Sequence, residues 1–103
     1  MSWHIVSRPQ AEADIAGAAA WYEEQAPGLG GDVIREVEAT YAAIGENPFL
    51  NAQKHPYKTI RWRLTHRFPY RVIYQIFEPQ KLVVVIAALH SARHDRTWRK
   101  RLL

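Results

Sequence analysis

The clearest pattern of apolar and polar positions is a strict alternation. Ile60, Trp62 and Leu64 alternate with Arg61, Arg63 and Thr65, the period of a strand with one face buried and one wet. The stretch Tyr70 to Phe77 alternates more loosely and is rich in Val, Ile, Tyr and Phe, residues that suit a pleated, packed surface. Glu78-Pro79-Gln80-Lys81 is a polar break whose proline is excluded from a central strand. Leu82 to Leu89 is then apolar throughout, which predicts a strand buried on both faces. With Pro79-Gln80 as a two-residue hairpin loop, paired positions sum to 159 and Arg71 sits opposite Ala88. Arg71, Ala88 and His90 then share a face, leaving room between the cations for a small anion. A one-residue change would put Arg71 and His90 on opposite faces.

Upstream the period changes. Trp3 to Ser7 reads as a short strand, with Ser7 as a cap and Pro9 in the first helical turn. Ala11, Ile15, Ala18 and Tyr22 recur at helical spacing, and this helix stops near Gln25 before Pro27-Gly28. A second helix fits Gly30 to Glu46, with Val33, Val37, Tyr41 and Ile44 as its stripe and Asn47-Pro48 as its stop. The short connection predicts an antiparallel helical hairpin, with Ala16, Ala18, Ala19 and Ala20 letting the helices approach. Asn47 to Thr59 reads as a loop with two prolines. The order β-α-α-β-β-β, with a short C-terminal helix allowed, predicts an α+β fold. In it an antiparallel sheet packs against the N-terminal hairpin, with Arg61 and Arg63 on the far face.

At 103 residues the chain reads as a single domain, 1–103, able to bury a core without metal or disulfide staples. It has no cysteine, and no apolar run reaches transmembrane length, so it reads as a soluble intracellular protein. The net charge of +4 is unevenly spread: residues 1–46 carry −6 and residues 47–103 carry +10. No acid occurs between Asn47 and Phe77. Such segregation points to a basic face for a polyanion unless the two halves interleave in space.

The chemistry on offer is cationic. His90 and His94 are four apart but lack a third ligand, so no metal and no cofactor are expected. Arg61, Arg63, Arg71, Arg93 and His94 are candidates for polyanion or target binding. His90 with Arg71 is a candidate catalytic pair, since histidine can move protons near neutrality and arginine can grip a phosphate. Alternatively His90 caps the end of a strand, and Arg61 and Arg63 are a solvated strand face.

The run PYRVIYQIFE, the apolar strand, and LHSARHDRTW together resemble the C-terminal signature of the RelE/ParE family of type II toxins. The N-terminal half agrees, with A-x-x-D-I-x-x-A-x-x-W-Y across Ala11 to Tyr22 and the NP that ends the second helix. The resemblance implies a cytoplasmic toxin of a plasmid-stabilisation type, encoded with a cognate antitoxin that silences it. RelE-like members cut messenger RNA on the ribosome, whereas ParE-like members inhibit DNA gyrase and are not nucleases. Arg71 matches the strand arginine of the nucleases, and His90 falls where some place a catalytic histidine. Ser91, however, stands near where many of them have a tyrosine. The H-S-A-R-H-D run is more similar to the ParE side. The resemblance therefore implies a ParE-like gyrase poison. A metal-independent endoribonuclease and a non-toxic basic interaction module are the alternatives.

Overall fold

A computed structural model describes residues 3–54, 57–93 and 95–102, the side chain of Lys58 apart. The chain runs β1 (His4–Ser7), α1 (Pro9–Gln25), α2 (Leu29–Glu46), a 3-10 turn (Pro48–Leu50), β2 (Ala52–Lys54), β3 (Tyr57–Leu64), β4 (Tyr70–Phe77), β5 (Leu82–His90), α3 (Arg96–Arg99) and a final 3-10 turn (Lys100–Leu102). The sheet order is β1-β5-β4-β3-β2. All neighbours are antiparallel except β1, which lies parallel to β5. The fold is α+β, as the element order predicts.

The helical hairpin forms where the apolar stripes place it. Ala11, Ile15 and Ala18 of α1 and Val33, Val37 and Ile44 of α2 are buried. Tyr22 packs edge-on against Phe68 at 4.7 Å between ring centroids. Pro9 opens α1, but Ser7 does not cap it; Arg8 holds the cap position and the Ser7 hydroxyl bonds the Tyr41 hydroxyl at 3.0 Å. The helices come closest at Gly30, where a β-carbon would stand 2.7 Å from the Ala19 carbonyl oxygen. Glu23, at the unfavourable end of α1, turns to the start of α2 and accepts from the Gly28 and Gly30 N–H groups. There its charge meets the positive end of the α2 dipole.

One face of the sheet carries Val72, Tyr74, Ile76, Val83 and Val85 against Ala11 and Ile44 of the hairpin. The other face is not open. Ile60, Ile73, Ile86, Ala87 and Leu89 pack around Trp98, which is 0 % exposed. The basic C-terminal segment therefore supplies a third layer, because its one tryptophan finds an apolar face to bury.

Two departures follow from this. Arg61 pairs with Tyr74 and Arg63 with Val72, so both arginines lie on the hairpin side, not on the far face. Ile60 and Trp62 belong instead to the core beneath the C-terminal segment. The β4–β5 register is the second departure. From Phe77↔Leu82 to Tyr74↔Val85 the pairs sum to 159; beyond a bulge, from Ile73↔Ala87 to Tyr70↔His90, they sum to 160. The extra residue is Ile86, and the bulge lets Ile86 and Ala87 both enter the core under Trp98. Arg71 thus faces Leu89, not Ala88.

Candidate functional site

The bulge separates the expected pair. His90 shares the hairpin face with its partner Tyr70, whereas Arg71 projects from the opposite face beside Leu89. His90 is exposed, stacks edge-on with Tyr70 at 5.6 Å, and accepts the Ala92 N–H at Nδ1 at 3.1 Å. Its visible role is to order the turn that ends β5. The catalytic pair His90–Arg71 is not assembled, and the anion pocket expected between them is absent.

Arg71 is only 8 % exposed, and both its terminal nitrogens are engaged. Nη1 donates to Asp95 Oδ1 at 2.8 Å and Nη2 to the Arg93 carbonyl at 2.7 Å. The second oxygen of Asp95 accepts from Lys54 Nζ at 2.6 Å, and Arg99 lies 3.9 Å away. Burial pushes the Asp95 carboxyl up, but hydrogen bonds from Lys54 and Arg71 overcome it and hold the group well below the usual carboxylate range. Asp95 is thus charged at any physiological pH. Beside it opens a polar cleft of about 390 Å³ bounded by Arg71, Ser91, Arg93 and Arg99.

Arg61 and Arg63 form a separate patch at the open end of the hairpin face. Arg61 Nη1 donates to the Asn51 carbonyl at 2.8 Å, and Arg63 Nη1 to Asn51 Oδ1 at 2.9 Å. Asn51 in turn donates to the Tyr74 hydroxyl at 2.9 Å, which donates to the Pro48 carbonyl at 2.6 Å. Arg61 lies over the Phe49 ring at 5.6 Å, and the neighbouring Leu50 is 78 % exposed. Arg93 is exposed and joins His90, Trp21 and Gly17 around a groove of about 370 Å³ along α1. His94, expected on the target-binding face, lies outside the described residues.

The described predicted cations therefore do not share one face: Arg61 and Arg63 lie together, Arg71 lies beneath the C-terminal segment, and Arg93 borders both the Arg71 cleft and the groove along α1. Sequence reasoning missed Lys54 and Asp95, the residues that bind Arg71. A signal existed: Asp95 is the sole acid after Glu78, and a single carboxylate among so many cations invites pairing. Among the described residues no group of three His, Asp or Glu side chains is placed to hold a metal ion. No helix among them is long and apolar enough to cross a membrane.

Several solved structures share this architecture. A chain of the chromosomal ParDE toxin–antitoxin system from P. aeruginosa superposes with a TM-score of 0.72 at 11% identity, over 85% of this chain and 95% of that one. The free E. coli RelE toxin, as a double mutant, gives a TM-score of 0.70 at 17% identity with both chains fully covered. A chain of the toxin–antitoxin complex RelBE2 from Mycobacterium tuberculosis gives 0.57 at 16% identity, over 87% of this chain and 99% of that one. At such identities the likeness is one of fold. Comparison with curated protein sequences gives no match. The family model for the ParE toxin of the type II toxin–antitoxin system parDE matches residues 5–95, and the chain belongs to that branch of the RelE/ParE toxins.

Proposed function

We propose that this protein is a ParE-like toxin that acts in the cytoplasm on DNA gyrase through contacts, without cleaving RNA, and is neutralised by a cognate antitoxin. The observation that carries the reading is the separation of Arg71 from His90. One is held by Asp95 on the face beneath the C-terminal segment, and the other orders a turn on the hairpin face. A ribonuclease needs a proton carrier and a cation around one phosphate, and these two residues do not meet that need. The ParE family match supports the same side of the division. The antitoxin follows from the company the fold keeps, since relatives of this architecture come from toxin–antitoxin systems.

The test uses the purified protein in two assays. Inhibition of supercoiling by gyrase, with no cut in ribosome-bound message, is the expected result. Message cleavage by the protein at concentrations that leave gyrase untouched would replace this reading with the RelE-like one.

A further inference from the structure

We propose that two copies of this chain associate about a two-fold axis, each seating Leu50 in an apolar hollow of the other beside Phe49. The proposal goes beyond the toxin reading and holds whatever the target is. Leu50 is 78 % exposed, the most of any large apolar side chain among the described residues, and its neighbour Phe49 is 42 % exposed. Both sit in the 3-10 turn Pro48–Leu50, where the Asn47 side chain accepts the Phe49 N–H at 3.1 Å. The Phe49 ring is held on two sides, edge-on to Trp3 at 5.5 Å and under the Arg61 guanidinium at 5.6 Å. A fixed apolar projection loses little freedom on binding, which suits it to an interface.

Beside the projection lies the matching hollow. Phe49, Ile76, Phe77 and Pro79 give it apolar walls, and Thr59 and Glu78 complete its rim. Its volume of about 400 Å³ is ample for a leucine side chain. Phe49 belongs to both features, so projection and hollow are neighbours on one surface. An isologous contact requires this, because the same patch must meet itself after a half-turn. The charges fit the same operation. Glu78 is one of only two acids after Glu46, and among the described residues its carboxylate has no ion-pair partner. Arg61 stands on the projection side, over Phe49. Seating Leu50 in the facing hollow brings Arg61 of one copy toward Glu78 of the other. The contact lies at the β4–β5 turn. His90 and Arg71 lie toward the other end of β5, about 27 Å away along a nine-residue strand, so both clefts described above stay accessible.

The test is sedimentation equilibrium of the purified protein at concentrations up to about 300 µM. The patch is small and each copy carries a net charge of +4, so the expected dissociation constant is about 10–100 µM. Leu50→Asp, at a site too exposed to disturb folding, should weaken association at least about tenfold, and Glu78→Lys should do likewise. The absence of native cysteine gives a second readout. Leu50→Cys and Thr59→Cys proteins, mixed and mildly oxidised, should link to one another faster than either variant links to itself. A parent protein that stays monomeric at the highest concentration overturns the proposal and leaves the patch to a different protein. Association that survives either charged variant, or a mixed cysteine pair that does not link, overturns it equally by putting the two-fold axis elsewhere. If Leu50→Asp unfolds, Glu78→Lys and the cysteine pair decide.

Discussion

Asp14 in α1 and Arg101 in the final turn are joined by two parallel contacts, Nη1 to Oδ2 at 2.7 Å and Nη2 to Oδ1 at 3.1 Å. The same carboxylate accepts the Ala88 N–H at 3.0 Å, and Arg101 also donates to the Ile86 carbonyl at 3.1 Å. One pair therefore ties the first helix, the bulged part of β5 and the C-terminal segment together. It sits where β1 has ended and β5 still has backbone groups to satisfy.

Asp14→Ala removes the partner of Arg101 and of the Ala88 N–H at once. Both side chains are mostly shielded, so the expected loss is about 2–3 kcal/mol, the range for charge-assisted bonds whose partners are left wanting. Urea unfolding checks this. A loss no larger than that of an exposed surface pair would mean that water replaces the contact.

The glycines make opposite predictions. Gly17 has nothing within 4 Å of where a β-carbon would stand, so Gly17→Ala should stabilise α1 by about 0.5–1 kcal/mol. At Gly30 the obstacle is the Ala19 backbone, so Gly30→Ala should force the helices apart and cost about 1–3 kcal/mol despite alanine's better helix propensity. Thermal unfolding of the two variants reads both signs.

Acid stability should report on Asp95. Its folded carboxyl titrates below its unfolded one, so the stability it contributes is complete above the ordinary carboxylate pKa of 3.8 and is lost progressively as pH falls below that value. Asp32, also lowered by Arg35 and Arg67, slopes the same way. Asp95→Asn should therefore flatten the acid limb in part, with little change in slope between pH 6 and about 8. An unchanged acid limb would show that the Lys54 and Arg71 contacts do not persist in solution.

His90→Gln separates the two target chemistries. Glutamine can still accept the Ala92 N–H, so the cost to folding should stay within about 1 kcal/mol. Growth arrest and gyrase inhibition should persist in this variant. A proton-transfer role would instead show as a loss of about 10²–10⁴ in rate, and a drop of that size at unchanged stability would restore the nuclease reading.

The parts of the fold that were legible are those with a phase. Ala11, Ile15, Ala18 and Tyr22 mark one helical face, and the turn at Glu78–Lys81 fixes the hairpin as far as Tyr74. Beyond Tyr74 the uniform apolar run gives no sign of which residue faces which side, so the extra Ile86 was invisible. Ala52-Gln53-Lys54 has too little alternation to announce β2. The alternation of β3 gives its period but not its face, because nothing in a basic segment declares that Trp98 will cover a sheet. The same silence about faces hides the separation of Arg71 from Arg61, Arg63 and His90.

The parallel pairing of β1 with β5 has a kinetic consequence. His4 meets Leu82, and Ser7 meets Val85, so the first strand made waits for the last before it has any neighbour in the sheet. During synthesis the α1–α2 hairpin can form from local contacts, but β1 must stay unpaired until most of the chain has emerged. Closure of the sheet, and of the Trp98 layer behind it, is then a late event that joins β1 to β5, the two strands farthest apart along the chain. Refolding should accordingly show helix content recovering ahead of tryptophan burial, with the slow step set by the distance along the chain between β1 and β5.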